Sequence, residues 1–196
     1  MNFVEAEVIQ DVIKGDGNAF TNLVEAYQRP VYNLCYRMLG NAEEAEDASQ
    51  ETFWRAYQAL DRYDPKRSFI TWLLSIAAHY CIDQQRKRRF QFTDIEMMPE
   101  GNLPDQEPGP EKMVAQLQED AVIHKLLNAL QAQDRAAVIL KYWYEFSEIE
   151  IANALNLTQS AVKSRLFRAR RLLAENWEST QTESVNSGEQ YVSPAF

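Results

Sequence analysis

The chain has 196 residues, 45% of them hydrophobic and 25% charged, with only six Gly and seven Pro. Those proportions exclude fibrous and low-complexity sequence and allow one domain or two small ones. Twenty Lys and Arg stand against 29 Asp and Glu, a formal net charge of −9, which at first argues against a nucleic-acid partner.

Met1 to Val12 carries Glu5, Glu7 and Asp11 and no basic n-region, so no secretory signal is expected there. The first strong helical pattern is Phe20, Leu23, Val24, Tyr27, Val31, Leu34, Cys35 and Met38, recurring at threes and fours, with Pro30 expected to bend or break it. Gly40 closes it, and Asn41 with Glu44 forms an Asn-led capping box for a helix from Ala42 to about Leu60. That helix holds Glu43, Glu44, Glu46, Asp47 and Glu51 beside Phe53, Trp54 and Tyr57. Asp64-Pro65 makes a turn, and Ser68 to Arg89 forms a helix that is apolar first and ends in Arg86-Lys87-Arg88-Arg89. Phe69, Trp72 and Ile76 are read as core.

Thr93 to Pro110 holds four Pro, two Gly and five acids with no apolar periodicity, so it reads as a linker between two helical blocks. The longest uncharged apolar stretch, Trp72 to Ile82, is too short for a membrane span, and no membrane insertion is expected. Cys35 and Cys81 fit small buried side chains in a reducing cytoplasm. His79 and Cys81 make an HxC pair, but only His124 and Cys35 stand elsewhere, so no metal or other cofactor is expected.

In the second block, Ser147 and Glu150 form a capping box for a short helix with Ile149, Ile151, Ala152 and Leu155 inward. Asn156-Leu157 turns the chain, and Thr158 caps a second, basic helix, giving a helix-turn-helix. At about 100° per residue, Val162, Leu166, Ala169 and Leu173 form a buried stripe. Ser164, Phe167, Arg168 and Arg171 fall opposite, flanked by Lys163, Arg165 and Arg170. Cations there can neutralise phosphates or reach guanine edges, and a ring can touch a thymine methyl. A solvated basic face of a bundle is the alternative; the capped helix and turn before it favour DNA.

Charge is distributed to match. Residues 61–90 hold 3 acids and 7 bases, and residues 158–177 hold 1 acid and 5 bases, each a net of +4. Residues 91–122 between them carry −7.

Ala45-Glu46-Asp47-Ala48-Ser49-Gln50-Glu51-Thr52-Phe53 resembles region 2 of the extracytoplasmic-function (ECF) group of bacterial RNA polymerase sigma factors, in the sigma-70 family. Phe69-x-x-Trp72-Leu73-x-x-Ile76-Ala77 with Asp83-x-x-Arg86 resembles that family's promoter-facing helix, and Ser147-x-x-Glu150-Ile151-Ala152 with Val162 to Arg170 resembles region 4. The resemblance implies an all-α fold of two small helical domains joined by a flexible acidic linker: region 2 at 1–90, linker 91–118, region 4 at 119–176, and a disordered tail at 177–196. It implies a polymerase face at Asp47, Gln50, Glu51 and Phe53, toward the β′ clamp helices, with the β flap as a further contact. It implies −10 contacts by Arg67, His79, Asp83, Arg86, Lys87, Arg88 and Arg89, where His79 stands at a position the family usually fills with Asn. It implies −35 contacts by Thr158, Ser160, Lys163, Ser164, Phe167, Arg168 and Arg171. An anti-sigma partner, a cytoplasmic location and the absence of catalysis follow from the same resemblance. Fully extended, residues 91–118 reach roughly 90–100 Å, enough for the roughly 50–70 Å between the two promoter elements. The rivals are a free-standing helix-turn-helix regulator and a metal-binding or enzymatic helical protein.

Overall fold

A computed structural model describes the backbone of residues 3–93 and 121–187, with side chains for 7–88 and 121–177. Among the described residues there is no strand. The chain divides into two compact units, α1–α4 forming one and α5–α8 the body of the other. Most of the expected linker, and residues 188–196 of the expected tail, lie outside the described residues.

The first unit comprises α1 (Phe3–Ile13), α2 (Gly17–Leu39), α3 (Ala42–Ala59), a 3₁₀ turn (Leu60–Arg62) and α4 (Phe69–Thr93). Asp16 caps α2, its carboxylate accepting from the amides of Asn18 (3.0 Å) and Ala19 (3.3 Å). α2 packs on α1, α3 and α4, and α3 on α4. Leu23, Val31, Leu34, Cys35 and Met38 of α2 meet a face of α3 built from Ala45, Ala48, Thr52, Phe53 and Ala56, and Leu73, Leu74, Ala77, Ala78 and Cys81 of α4 complete the core. The alanines let helix axes approach closely. α2 runs unbroken through Pro30, so of the expected bend or break the break does not occur. An internal proline costs a helix roughly 3 kcal/mol. Buried Ala19 and Leu23 before it, and Val31, Leu34, Cys35 and Met38 after it, hold both halves in place at about 1.5–3 kcal/mol per large apolar side chain.

Tyr27, Tyr63, Phe69 and Trp72 form an aromatic cluster with ring centroids 5.2–5.5 Å apart. Phe69 is fully buried as expected, whereas Trp72 and Ile76 are only half-buried. The Tyr63 hydroxyl donates to the Arg67 carbonyl (2.6 Å), and the Asp64 carboxylate accepts from the Lys66 amide (3.0 Å), so the loop entering α4 is pinned from inside.

The second unit holds α5 (121–128), α6 (Ala132–Tyr142), α7 (Glu148–Leu155) and α8 (Gln159–Ser187). α6 packs on α8. Its core joins Leu126, Leu127 and Leu130 to Val138, Ile139, Leu140, Phe146 and Ile151, and to the expected stripe Val162, Leu166, Ala169 and Leu173. Helix continues to Ser187, past the boundary at 176 that the sequence reading set. Ile149, expected inward, is 59% exposed. The buried face of α7 is carried by Ile151, Ala152 and Leu155, and Ile149 lies about 200° from Ile151 around the helix.

Candidate nucleic-acid interface and docking face

Three hydrogen bonds close the expected capping box at the start of α7. The Ser147 amide (2.8 Å) and hydroxyl (2.7 Å) donate to one Glu150 carboxylate oxygen, and the Glu150 amide donates to the Ser147 hydroxyl oxygen (3.2 Å). Those donors hold the Glu150 carboxyl below the usual carboxylate range. Asn156 takes a left-handed backbone (φ 53°), and the Leu157 amide reaches the Ala152 carbonyl (2.9 Å), turning the chain. The Thr158 hydroxyl then accepts from the Ala161 amide (3.1 Å) and starts α8.

The outer face of α8 presents Ser160, Lys163, Ser164, Phe167, Arg168 and Arg171, all exposed. Phe167 is 64% exposed, an apolar ring between cations. The Ser164 hydroxyl donates to the Ser160 carbonyl (3.0 Å), leaving its oxygen free to accept. Each long cation of this face has a carboxylate nearby: Lys163 with Glu148 (3.6 Å), Arg168 with Asp134 (3.7 Å) and Arg171 with Glu175 (2.8 Å). The hydrogen bond to Glu175 raises the pKa of Arg171. Arg165, read as a flank, turns inward and binds Asp134 at 2.6 Å. Asp134 escaped the sequence reading; its signal was a charged pair, Asp134-Arg135, embedded in the apolar run of α6. Burial pushes the Arg135 guanidinium down to about 10, so it stays charged at neutral pH, and it donates to the Leu130 carbonyl (3.4 Å).

On α4, His79, Asp83, Arg86 and Lys87 share one side of the helix. The His79 Nδ1 lies 2.8 Å from the Ser75 carbonyl, which can only accept, so Nδ1 carries the proton and donates. Asp83 pairs with Arg86 (3.2 Å), and both Arg86 and Lys87 are exposed. Arg88 points to the other side of α4, where it makes an ion pair with Glu44 of α3, and burial lowers its pKa. Arg67 is exposed on the pinned loop. The side chain of Arg89 lies outside the described residues.

α3 presents Asp47 and Gln50 to solvent, with Glu51 half-buried and bound to Arg55 (2.7 Å). Phe53, placed on this face by the sequence, is instead buried and packs edge-on against Phe20 of α2 (6.4 Å). The aromatic rings outside are Trp54, 58% exposed, and Tyr57, 43% exposed, which the helical period sets beside Asp47, Gln50 and Glu51. Beside them a groove of about 450 Å³ runs between α2 and α3, lined by residues that include Arg29, Tyr32, Glu46, Ser49, Gln50 and Phe53. Burial first, then the nearby Glu46 charge, raises the Tyr32 pKa. Among the described residues no cluster of His, Cys, Asp and Glu could hold a metal ion, and no helix is long and apolar enough to cross a membrane.

The second unit is thus a helix-turn-helix with a cationic outer helix, and the first a helical unit with an acidic, aromatic face, the pairing expected of a DNA-binding protein that also docks a protein partner. The family model for sigma-70 region 2 matches residues 23–91, and that for sigma-70 region 4 matches residues 120–173. The chain is 39% identical over 178 residues to the ECF RNA polymerase sigma factor SigW of Bacillus subtilis, covering 84% of this chain and 92% of that one. It is 32% identical over 174 residues to the RNA polymerase sigma-H factor of Pseudomonas aeruginosa, covering 85% and 90% of the two chains. Among solved structures, CnrH in complex with the cytosolic domain of CnrY shares the fold at a TM-score of 0.66 and 22% identity, over 90% of this chain and 98% of that one. The sigma factor RpoE from Bartonella quintana, in complex with the anti-sigma factor NepR, shares it at 0.61 and 23%, over 81% and 96%. The chain belongs to the ECF group of the sigma-70 family: it is an RNA polymerase sigma factor, acting in promoter recognition and transcription initiation.

Proposed function

We propose that region 2 spans residues 1–90 and docks core polymerase through Asp47, Gln50 and Glu51 on α3, whose partner surface is the β′ clamp helices. α4, with Arg67, His79, Asp83, Arg86 and Lys87, faces the −10 element. Arg88 is committed to Glu44 and acts there by fixing α4 against α3. Region 4, residues 119–176, meets the −35 element through Thr158, Ser160, Lys163, Ser164, Phe167, Arg168 and Arg171, and contacts the β flap. Residues 91–118 connect the two. The factor works in the cytoplasm, where polymerase and promoter are, and contributes binding energy and duplex opening in place of covalent chemistry. The solved structure of RpoE bound to the anti-sigma factor NepR supports an anti-sigma partner for this chain as well.

The observation that carries this reading is the pairing, in one chain, of a capped helix-turn-helix bearing exposed Lys163, Phe167 and Arg168 with an acidic, ring-bearing face on α3. The test is co-purification with core polymerase. The double variant Asp47→Lys with Glu51→Lys should weaken core binding by at least about tenfold, since like charges across an interface cost several kcal/mol. Glu7→Lys, an exposed charge reversal on α1, should leave it unchanged. Undiminished binding by the double variant would remove the docking assignment.

A further inference from the structure

Asp134 is a carboxylate on the first turn of α6 with 11% of its side chain exposed, and it faces two arginines of α8 three residues apart. Oδ1 lies 2.6 Å from the Arg165 guanidinium, which is itself only 21% exposed; Oδ2 lies 3.7 Å from Arg168, which is 60% exposed. One carboxylate thus divides its two oxygens between an inner and an outer cation. The inner pair anchors α8 to α6. The outer contact is a 3.7 Å ion pair that attracts the Arg168 guanidinium, 60% exposed, toward a fixed carboxylate. A side chain already held in its bound direction loses less rotamer freedom on contacting a base edge, and planar two-point recognition is sensitive to that direction.

We infer that Asp134 is a positioning residue for promoter specificity: it orients Arg168 for base recognition without touching DNA. This rests on the reading of α8 as the −35-contacting helix. The carboxylates of the other two α8 pairs are more exposed, Glu175 at 56% and Glu148, which also accepts from Gln159 at 3.4 Å, at 33%, whereas Asp134 is 11% exposed. Arg165 holds Asp134 with a 2.6 Å hydrogen bond from a second helix.

The experiment uses the full chain with core polymerase and promoter DNA in which each −35 base pair is substituted in turn, reading the affinity ratio between matched and substituted sites. Arg168→Ala should lose roughly 5- to 100-fold of discrimination at one base pair, the range for a single two-point base contact. Asp134→Asn should lose discrimination at that same base pair, by at least about threefold. The double variant should discriminate no worse than Arg168→Ala alone, which a merely structural role for Asp134 would not produce. If Asp134→Asn weakens every sequence equally, or adds to Arg168→Ala in the double variant, the inference is overturned. If Arg168→Ala itself leaves discrimination intact at every position, the −35 reading of α8 falls first, and the two failures are told apart. Should circular dichroism show Asp134→Asn unfolded, Asp134→Glu moves the carboxylate by one methylene. It should shift discrimination at that base pair, and a ratio equal to the parent chain's would overturn the inference.

Discussion

Ser147 and Glu150 show how a local rule operates at single residues: two side chains and two amides satisfy one another at the mouth of α7. Because hydrogen bonds from Ser147 lower the Glu150 pKa in the folded state, the carboxylate contributes stability above its unfolded value of about 4.3 and loses it as pH falls through the lowered folded value. Glu150→Gln should therefore cost about 0.5 kcal/mol at pH 7, in keeping with a largely exposed group, and the gap to the parent chain should close toward pH 3 in denaturant melts. A gap that persists in acid would mean that packing, not charge, makes the difference. This box was legible in the sequence because both partners lie within one turn. Asp134 was not, since its partners are 31 and 34 residues away and only the folded chain brings them together.

Among the elements, α2 and α3 show the same division. Gly40 ends α2 with φ 75°, its amide bonded to the Tyr36 carbonyl at 2.8 Å, and the Asn41 side chain accepts from the Glu44 amide (3.0 Å) to start α3. Two helices therefore meet across a two-residue junction whose geometry needs a left-handed residue. Gly40→Ala should cost about 1 kcal/mol, seen as a lower denaturant midpoint with an unchanged slope. An unaffected midpoint would mean that the junction relaxes into another turn. The junction could be read from Gly40, Asn41 and Glu44. The path of α2 through Pro30 could not, because what keeps that helix whole is burial against α3 and α4. Nor could the sequence sort Phe53 from Trp54 and Tyr57: all three fall on an apolar-acidic helix, and although Phe53 and Tyr57 both meet Phe20 edge-on, only the packing of α2 on α3 buries Phe53 and leaves Trp54 and Tyr57 exposed.

Across the whole molecule, the net charge of −9 coexists with the cationic outer face of α8 because charges act locally. Ionic screening at physiological salt fades beyond about 8 Å, so α8 can attract phosphates while acids elsewhere repel the polyanion only weakly. Three of the exposed α8 cations are also within ion-pair distance of carboxylates, with which a phosphate would have to compete. The full chain alone should consequently bind promoter DNA no tighter than about 10⁻⁶ M, with affinity falling steeply between 50 and 200 mM salt, and should gain strongly on adding core polymerase. Tight, salt-insensitive binding by the free chain, measured by fluorescence anisotropy, would contradict this.

The sequence by itself determined α2, α3, α4, α7 and α8, the caps at Gly40, Asn41, Ser147 and Thr158, the two-block organisation, the buried stripe of α8 and the two basic islands. All of these depend on residues within a few positions of one another or on summed charge. Tertiary structure alone decided which cations are anchored to another helix and which stay at the surface. Arg88 went to Glu44 and Arg165 to Asp134, each on another helix, while Arg86, paired only within α4, and Lys87 stayed at the surface. The reason is physical: a helical period fixes the direction of a side chain around its own axis, but whether a carboxylate waits in that direction depends on another helix.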